Sequence, residues 1–215
     1  MAKGGSTERE VCVLLSKWVT EGKRDDIFDR SNSSGARFTQ RKKSGKDTAF
    51  QAGDIAFSDP IGLPICQNWS IECKSGYGSK RKIKDEQGNL VKKIDERWDV
   101  LDRIDSQQKE TVLEKMWAQC CRDAVLTNRQ PILIFRRNRR ELCIMITCRY
   151  ESELSDFFGA NLLTKITISC LEENTVIMKL KDFFLWIPNI EPALKRPEMV
   201  LKELPLKRFG FKRKT

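Results

Sequence analysis

Between the turn Asp59-Pro60-Ile61-Gly62 and the break at Ser75-Gly76-Tyr77-Gly78 lies Trp69-Ser70-Ile71-Glu72-Cys73-Lys74, an apolar run that carries an acid and a lysine two positions apart. A short apolar run closed off by turn residues at both ends reads as a strand. Successive strand side chains leave on opposite faces. Glu72 and Lys74 therefore share one face, while Cys73 enters the layer on the other side. Eighteen residues before Glu72, Asp54 opens a second strand, Gly53-Asp54-Ile55-Ala56-Phe57. Two carboxylates and an ammonium then converge on one spot. Hard oxygen ligands suit Mg²⁺, and a nearby cation suits the charge that develops when water attacks a phosphodiester.

Composition removes most competing chemistries. The 215 residues include no histidine, so Ser-His and Cys-His nucleophiles and His-ligated metals are excluded. The eight cysteines (Cys12, Cys66, Cys73, Cys120, Cys121, Cys143, Cys148, Cys170) form no CxxC pair. Zinc spacing is thus missing, and the thiols read as reduced, buried small hydrophobes. Any metal must be held by oxygen. A net charge of +10 and a pI near 9.3 point to a polyanionic partner, with a merely solvated basic surface as the open alternative. The longest apolar stretches, such as Ile132-Phe135 and Phe183-Ile187, fall well short of a membrane span of about 20 residues. With no signal-peptide pattern after Met1, the expectation is a cytoplasmic protein with no membrane partner and no organic cofactor.

The surrounding pattern predicts an α/β chain. Ser6-Thr7 with Glu10 resembles a capping box, and Val11, Leu14, Leu15, Trp18 and Val19 keep helical spacing up to Gly22. Glu8 lies on that inward stripe, either as a functional acid or as a first-turn partner of the helix dipole. A short strand around Ile27-Phe28 leads into a polar, basic loop. Residues 79–105 read as an exposed basic hairpin around Gly88-Asn89, or as a disordered insertion. Ser106 is positioned to cap a helix to about Thr127, with Val112, Leu113, Met116, Trp117, Cys120 and Ala124 inward and Gln119 on the border. Strands follow at Ile132-Phe135 and Leu142-Ile146, joined by Arg136-Arg137-Asn138-Arg139-Arg140. A helix near 151–158 and strands near 165–170 and 175–180 complete the pattern, and residues 191–215 read as a basic extended tail.

The order helix with Glu8, loop with Ser34-Gly35, Gly53-Asp54, then Ile71-Glu72-Cys73-Lys74-Ser75 resembles the PD-(D/E)xK nuclease superfamily. Lys3-Gly4 and Glu8-Arg9-Glu10 make residues 3–78 most similar to archaeal-type Holliday-junction resolvases. The family's proline before the acid is replaced here by Gly53. The resemblance implies a restriction-endonuclease-like core over residues 1–150, a mixed central sheet flanked by helices, with residues 151–190 packed on it and the basic extension beyond. It implies Mg²⁺ or Mn²⁺ held by Asp54, Glu72, the Cys73 carbonyl and Glu8, with Lys74, Ser34 and Gln119 completing the catalytic set. Arg30, Lys80, Arg81, Lys82, Arg136, Arg137, Arg139 and Arg140 are the expected phosphate contacts. The expected activity is metal-dependent endonuclease cleavage of DNA, branched DNA in particular, by a homodimer. Restriction, repair or single-strand cleavage on the same core, and a non-catalytic nucleic-acid-binding module, are the alternatives.

Overall fold

The computed structural model describes residues 3–31, 53–76, 80–88, 90–95, 111–159, 164–170 and 173–190. Ser34 and Gly35, the cap position Ser106, and the tail 191–215 lie outside the described residues.

The chain opens with α1 (Lys3–Val19), then β1 (Phe28–Arg30) and β2 (Ile55–Phe57). A 3-10 turn (Pro60–Gly62) leads into α2 (Leu63–Asn68) and β3 (Trp69–Ser75). Then come β4 (Lys80–Lys84), β5 (Leu90–Asp95), α3 (Val112–Thr127), β6 (Gln130–Arg136) and β7 (Cys143–Thr147). The last described elements are α4 (Cys148–Phe158), β8 (Lys165–Cys170), β9 (Glu173–Lys179) and α5 (Leu180–Trp186). Five strands make the central sheet in the order β3-β6-β7-β9-β8, with β3–β6 parallel and the remaining pairs antiparallel. The α/β architecture with a mixed, helix-flanked sheet is therefore observed. β8 and β9 extend the same sheet rather than forming a separate layer.

Strand alternation builds two cores. Ile71, Cys73, Ile132, Ile134, Ile144, Ile146, Val176 and Met178 point into a layer closed by α1, α4 and α5. Leu133, Phe135, Met145 and Ile177 point the other way, under Leu113, Met116, Trp117 and Cys120 of α3. Two indole hydrogen bonds tie the larger core together. Trp18 Nε1 donates to the Ile187 carbonyl at 2.6 Å, and Trp69 Nε1 donates to the Tyr150 hydroxyl at 2.7 Å. The seven cysteines with described side chains form no disulfide, and five of them are buried.

Several boundaries differ from the sequence reading. α1 begins at Lys3, so Ser6 and Thr7 lie inside the helix, and Glu10 pairs with Arg136 instead of closing a capping box. The cap of α3 is Thr111: its hydroxyl accepts from Glu114 N at 3.2 Å, and Glu114 reaches back to Thr111 N at 2.6 Å. That reciprocal pair satisfies two otherwise orphaned N–H groups at a buried helix start. The turn at Asp59 continues into α2, and Leu180–Trp186 is helical. β4 and β5 pair antiparallel, with Lys82 opposite Lys93 in register. Among the described residues, no helix is long and apolar enough to cross a membrane.

Candidate active site

Asp54 is fixed by its backbone before its side chain does anything. Its N–H donates to the Ile71 carbonyl at 2.7 Å, and its carbonyl accepts from Ser31 N at 2.8 Å. The residue is thus clamped between β1 and the outer edge of β3. The close approach depends on Gly53, which has φ +88°, and a Cβ there would lie 2.5 Å from the Ile71 carbonyl oxygen. Proline, with φ held near −65°, cannot take that conformation. This is the physical reason glycine stands where the family's proline is expected.

The Asp54 carboxylate then accepts from Cys73 N at 2.9 Å. In a ladder, a residue's N–H and C=O leave on the same edge. Ile71 and Cys73 both address Asp54 on β3's open edge, so the Cys73 carbonyl leaves on that edge too. The Cys73 thiol is buried in the opposite layer, and burial pushes it far from ionisation, so its thiolate is not a ligand. Only its main chain belongs to the site.

Glu72 stands on the α3 face and is buried. Its Oε1 accepts from the Lys74 ammonium and from Gln119 Nε2, the latter at 2.9 Å. Sheet register and helix packing thus join residues far apart in sequence. Burial first, then the Glu72 charge, raises the Asp54 carboxyl above its ordinary range. Burial likewise raises Glu72, with Lys74 pulling it back. Two half-desolvated carboxylates side by side resist joint ionisation. A divalent cation removes that conflict, so the donor set Asp54, Glu72 and the Cys73 carbonyl fits a hard metal such as Mg²⁺.

Glu8 is brought to the same neighbourhood but not into that cluster. Its carboxylate ion-pairs with Arg30, although its charge still acts on Asp54 and Glu72. Among the described residues, no three Asp, Glu, Cys or His side chains gather tightly enough to hold a metal by themselves. Arg30 is correspondingly the counter-ion of Glu8 rather than a free phosphate contact. Arg136 likewise forks onto Glu10 at 2.9 and 2.8 Å, anchoring the end of β6 to α1. These pairings span 22 and 126 residues, which explains why runs of basic sequence did not reveal them.

Arg137 is half-buried, whereas Arg139 and Arg140 are exposed in the β6–β7 turn. That turn lies at the sheet end where Ser75 pairs with Arg136, the end from which the chain leaves for β4–β5. Lys80, Arg81 and Lys82 occupy successive positions of β4.

Sequence reasoning missed Asp123, which follows Gln119 by one helical turn on α3. Its half-buried carboxyl is raised by burial and lowered by Arg122 and Lys74, while its own charge acts on Glu72. The i, i+4 spacing from Gln119 was the available signal.

Comparison with known proteins bears on the same reading. The model of a family described as phage putative PDDEXK endonuclease matches residues 90–190. Over those residues the chain is similar to that family. The matched span is just under half of the 215 residues and holds Gln119 and Asp123, while Asp54, Glu72 and Lys74 precede it. Among solved structures, Hjc from Archaeoglobus fulgidus, a Holliday junction resolvase from an archaeal hyperthermophile, aligns at 10% identity with a TM-score of 0.29. That alignment covers 86% of this chain and 94% of Hjc. A search of curated proteins returned no match.

Proposed function

We propose that the protein is a divalent-metal-dependent endodeoxyribonuclease that hydrolyses phosphodiester bonds at the open edge of β3. One observation carries the reading: Asp54 is held on Cys73 N beside Glu72, whose Oε1 already gathers Lys74 and Gln119. Asp54, Glu72 and the Cys73 carbonyl would hold Mg²⁺ or Mn²⁺. When bound, the ion supplies Lewis-acid polarisation of the phosphate and an acidified water. Lys74 places a positive charge beside the scissile phosphate and orients the attacking water at its ammonium. Gln119 keeps the Glu72 carboxylate in one rotamer. Glu8 and Arg30, next to Asp54 through β1, supply a charge pair at the mouth of the site.

The finer reading is cleavage of branched DNA by a two-fold homodimer, which sets two sites for paired nicks. It rests on the resemblance of residues 3–78 to archaeal-type resolvases. The test incubates the protein with four-way junctions, flaps, plain duplex and single strands in Mg²⁺. Paired symmetric nicks confined to junctions support the finer reading; fixed-sequence cuts in plain duplex remove it and leave the nuclease. Asp54→Asn and Lys74→Ala are expected to abolish cleavage while retaining DNA binding. Unchanged cleavage in both variants would mean that the site is misassigned.

A further inference from the structure

β4 and β5 form a two-stranded sheet of their own, outside the central five strands. Residues directly opposite each other in an antiparallel pair share a face, so the register sorts this ribbon into two unlike sides. Lys80 and Lys82 of β4 share one side with Asp95 and Lys93 of β5, three cations and one acid. Arg81 and Ile83 share the other side with Ile94 and Lys92, so the isoleucines fall there. Past Ile83 the register shifts, and Lys84 stands opposite Leu90. A side made only of charged residues offers no apolar surface to bury against protein, and Lys82 across from Lys93 opposes the pairing. A lone two-stranded ribbon is marginal in water to begin with. A row of phosphates supplies what that side lacks.

The turn that closes the ribbon has the opposite character. Asp85 holds it: its carbonyl accepts from Gly88 N at 3.0 Å, and its carboxylate accepts from Gln87 N at 3.1 Å. Glu86, Gln87 and Gly88 are exposed. Two acids at the tip are repelled by the phosphates that line both walls of a DNA groove. The charged flank is therefore the surface that approaches DNA, and the tip stays off it. Duplex suits that flank better than a single strand, because it carries one charge per ~1.7 Å of axis, twice the density of either strand alone. The chain from Lys74 to Lys80 spans at most about 21 Å, and β4 adds about 13 Å. DNA held at Glu72 and Lys74 thus offers the ribbon phosphates within about ten base pairs. Resting on the nuclease reading for its partner, we propose that the side of β4–β5 with Lys80, Lys82 and Lys93 lies flat on the phosphates of duplex DNA beside the cleaved bond. The contact tightens the pairing of the ribbon and leaves its acidic turn in solvent.

The first experiment uses the full chain without metal, so that nothing is cleaved. Amide hydrogen exchange over residues 80–95 is followed in the free protein and at saturating duplex. The amides of β4 and β5 are expected to exchange several-fold more slowly on duplex. In the double variant Lys82→Gln with Lys93→Gln, the free protein should already exchange more slowly than free wild type, and duplex should add little. Unchanged exchange in duplex-bound wild type overturns the proposal, and equal protection by a single strand of the same length overturns the choice of duplex.

The second experiment removes two cations from either side and reads the salt dependence of duplex affinity. Lys82→Gln with Lys93→Gln should lower the slope by about 1–2, and Arg81→Gln with Lys92→Gln by less than about half as much. Equal reductions overturn the choice of face. Asp85→Asn with Glu86→Gln should change affinity by less than about twofold, because the turn lies beyond a Debye length of about 8 Å from the phosphates. A larger gain puts the turn among the phosphates and overturns the flat arrangement. Cleavage is scored separately in Mg²⁺. A protein that shows the protection and never cleaves loses the nuclease reading and keeps the ribbon contact; one that cleaves without the protection loses the ribbon contact alone.

Discussion

At the scale of single residues, Gly53 shows how a backbone requirement sets up a chemical one. Its positive φ and its lack of a Cβ, which would lie 2.5 Å from the Ile71 carbonyl oxygen, let Asp54 lie flat on β3. Gly53→Ala must push Asp54 off that edge or strain the backbone, at a cost on the order of 1–3 kcal/mol. Chemical denaturation should show that loss, and Mn²⁺ titration should show weakened binding because the Cys73 N–H to Asp54 bond is lengthened. Gly53→Pro should be worse on both counts, although proline is the residue the family pattern expects. An unchanged Mn²⁺ affinity in Gly53→Ala would show that Asp54 does not depend on this contact. Much of the site was legible at this scale. The alternation in Ile71-Glu72-Cys73-Lys74 gave the face of each side chain, and helical spacing put Gln119 at the border. What stayed hidden were the partners of Arg30 and Arg136. Those depend on which elements the fold stacks together, and no local pattern encodes that.

Between elements, the two cores rest on a few directional contacts that lock otherwise slippery apolar faces. Tyr150 accepts from Trp69 Nε1 in the same layer where Trp18 stacks on Trp69 and Phe184 and Phe183 packs tilted against Trp69. Tyr150→Phe keeps the ring but orphans a buried indole N–H, which should cost about 1–3 kcal/mol by urea denaturation. Cleavage at saturating metal should persist, since this pair lies on the α1 side of the sheet and Glu72 faces α3. Thr111→Ala removes half of the box that starts α3 and should cost about 0.5–2 kcal/mol. That second loss should be accompanied by reduced activity, because α3 carries Gln119 to Glu72. If Thr111→Ala destabilises without touching activity, the helix start and the site are mechanically separate. α1 was readable because it buries one stripe, and β3, β6 and β7 because, buried on both faces, they read as near-continuous apolar runs. α2 and α5 span only 6 and 7 residues, too short for a period to rise above turn signals.

Across the whole molecule, charge is distributed unevenly between structure and surface. Among the described residues, Lys23, Arg24, Arg30, Lys74, Arg136, Arg149, Lys165, Lys179 and Lys181 pair with acids. The exposed Arg139-Arg140 turn lies at the carboxyl end of β3 and β6, where the chain departs for β4–β5. In that hairpin Lys82 stands opposite Lys93. Like charges directly across a two-stranded ribbon oppose its pairing, and a phosphate between them reverses the sign of that effect. DNA binding measured with Ca²⁺ or without metal should therefore weaken linearly on a log–log plot against salt, with a slope of about −0.9 per phosphate neutralised on duplex. Replacing Lys82 and Lys93 together with Gln should reduce the slope by about 1–2 and leave sequence preference unchanged. The hairpin itself should gain stability in the absence of DNA, because the repulsion is gone. Replacing Arg136 should instead lower stability with little change in slope, since its fork holds Glu10. The contrast separates the two uses of basic residues: a cation paired inside the fold reports in the melting curve, and one facing phosphate reports in the salt dependence. Were Arg136 to dominate the slope and the hairpin to leave it untouched, the DNA path would run over α1 and not along the end of β3.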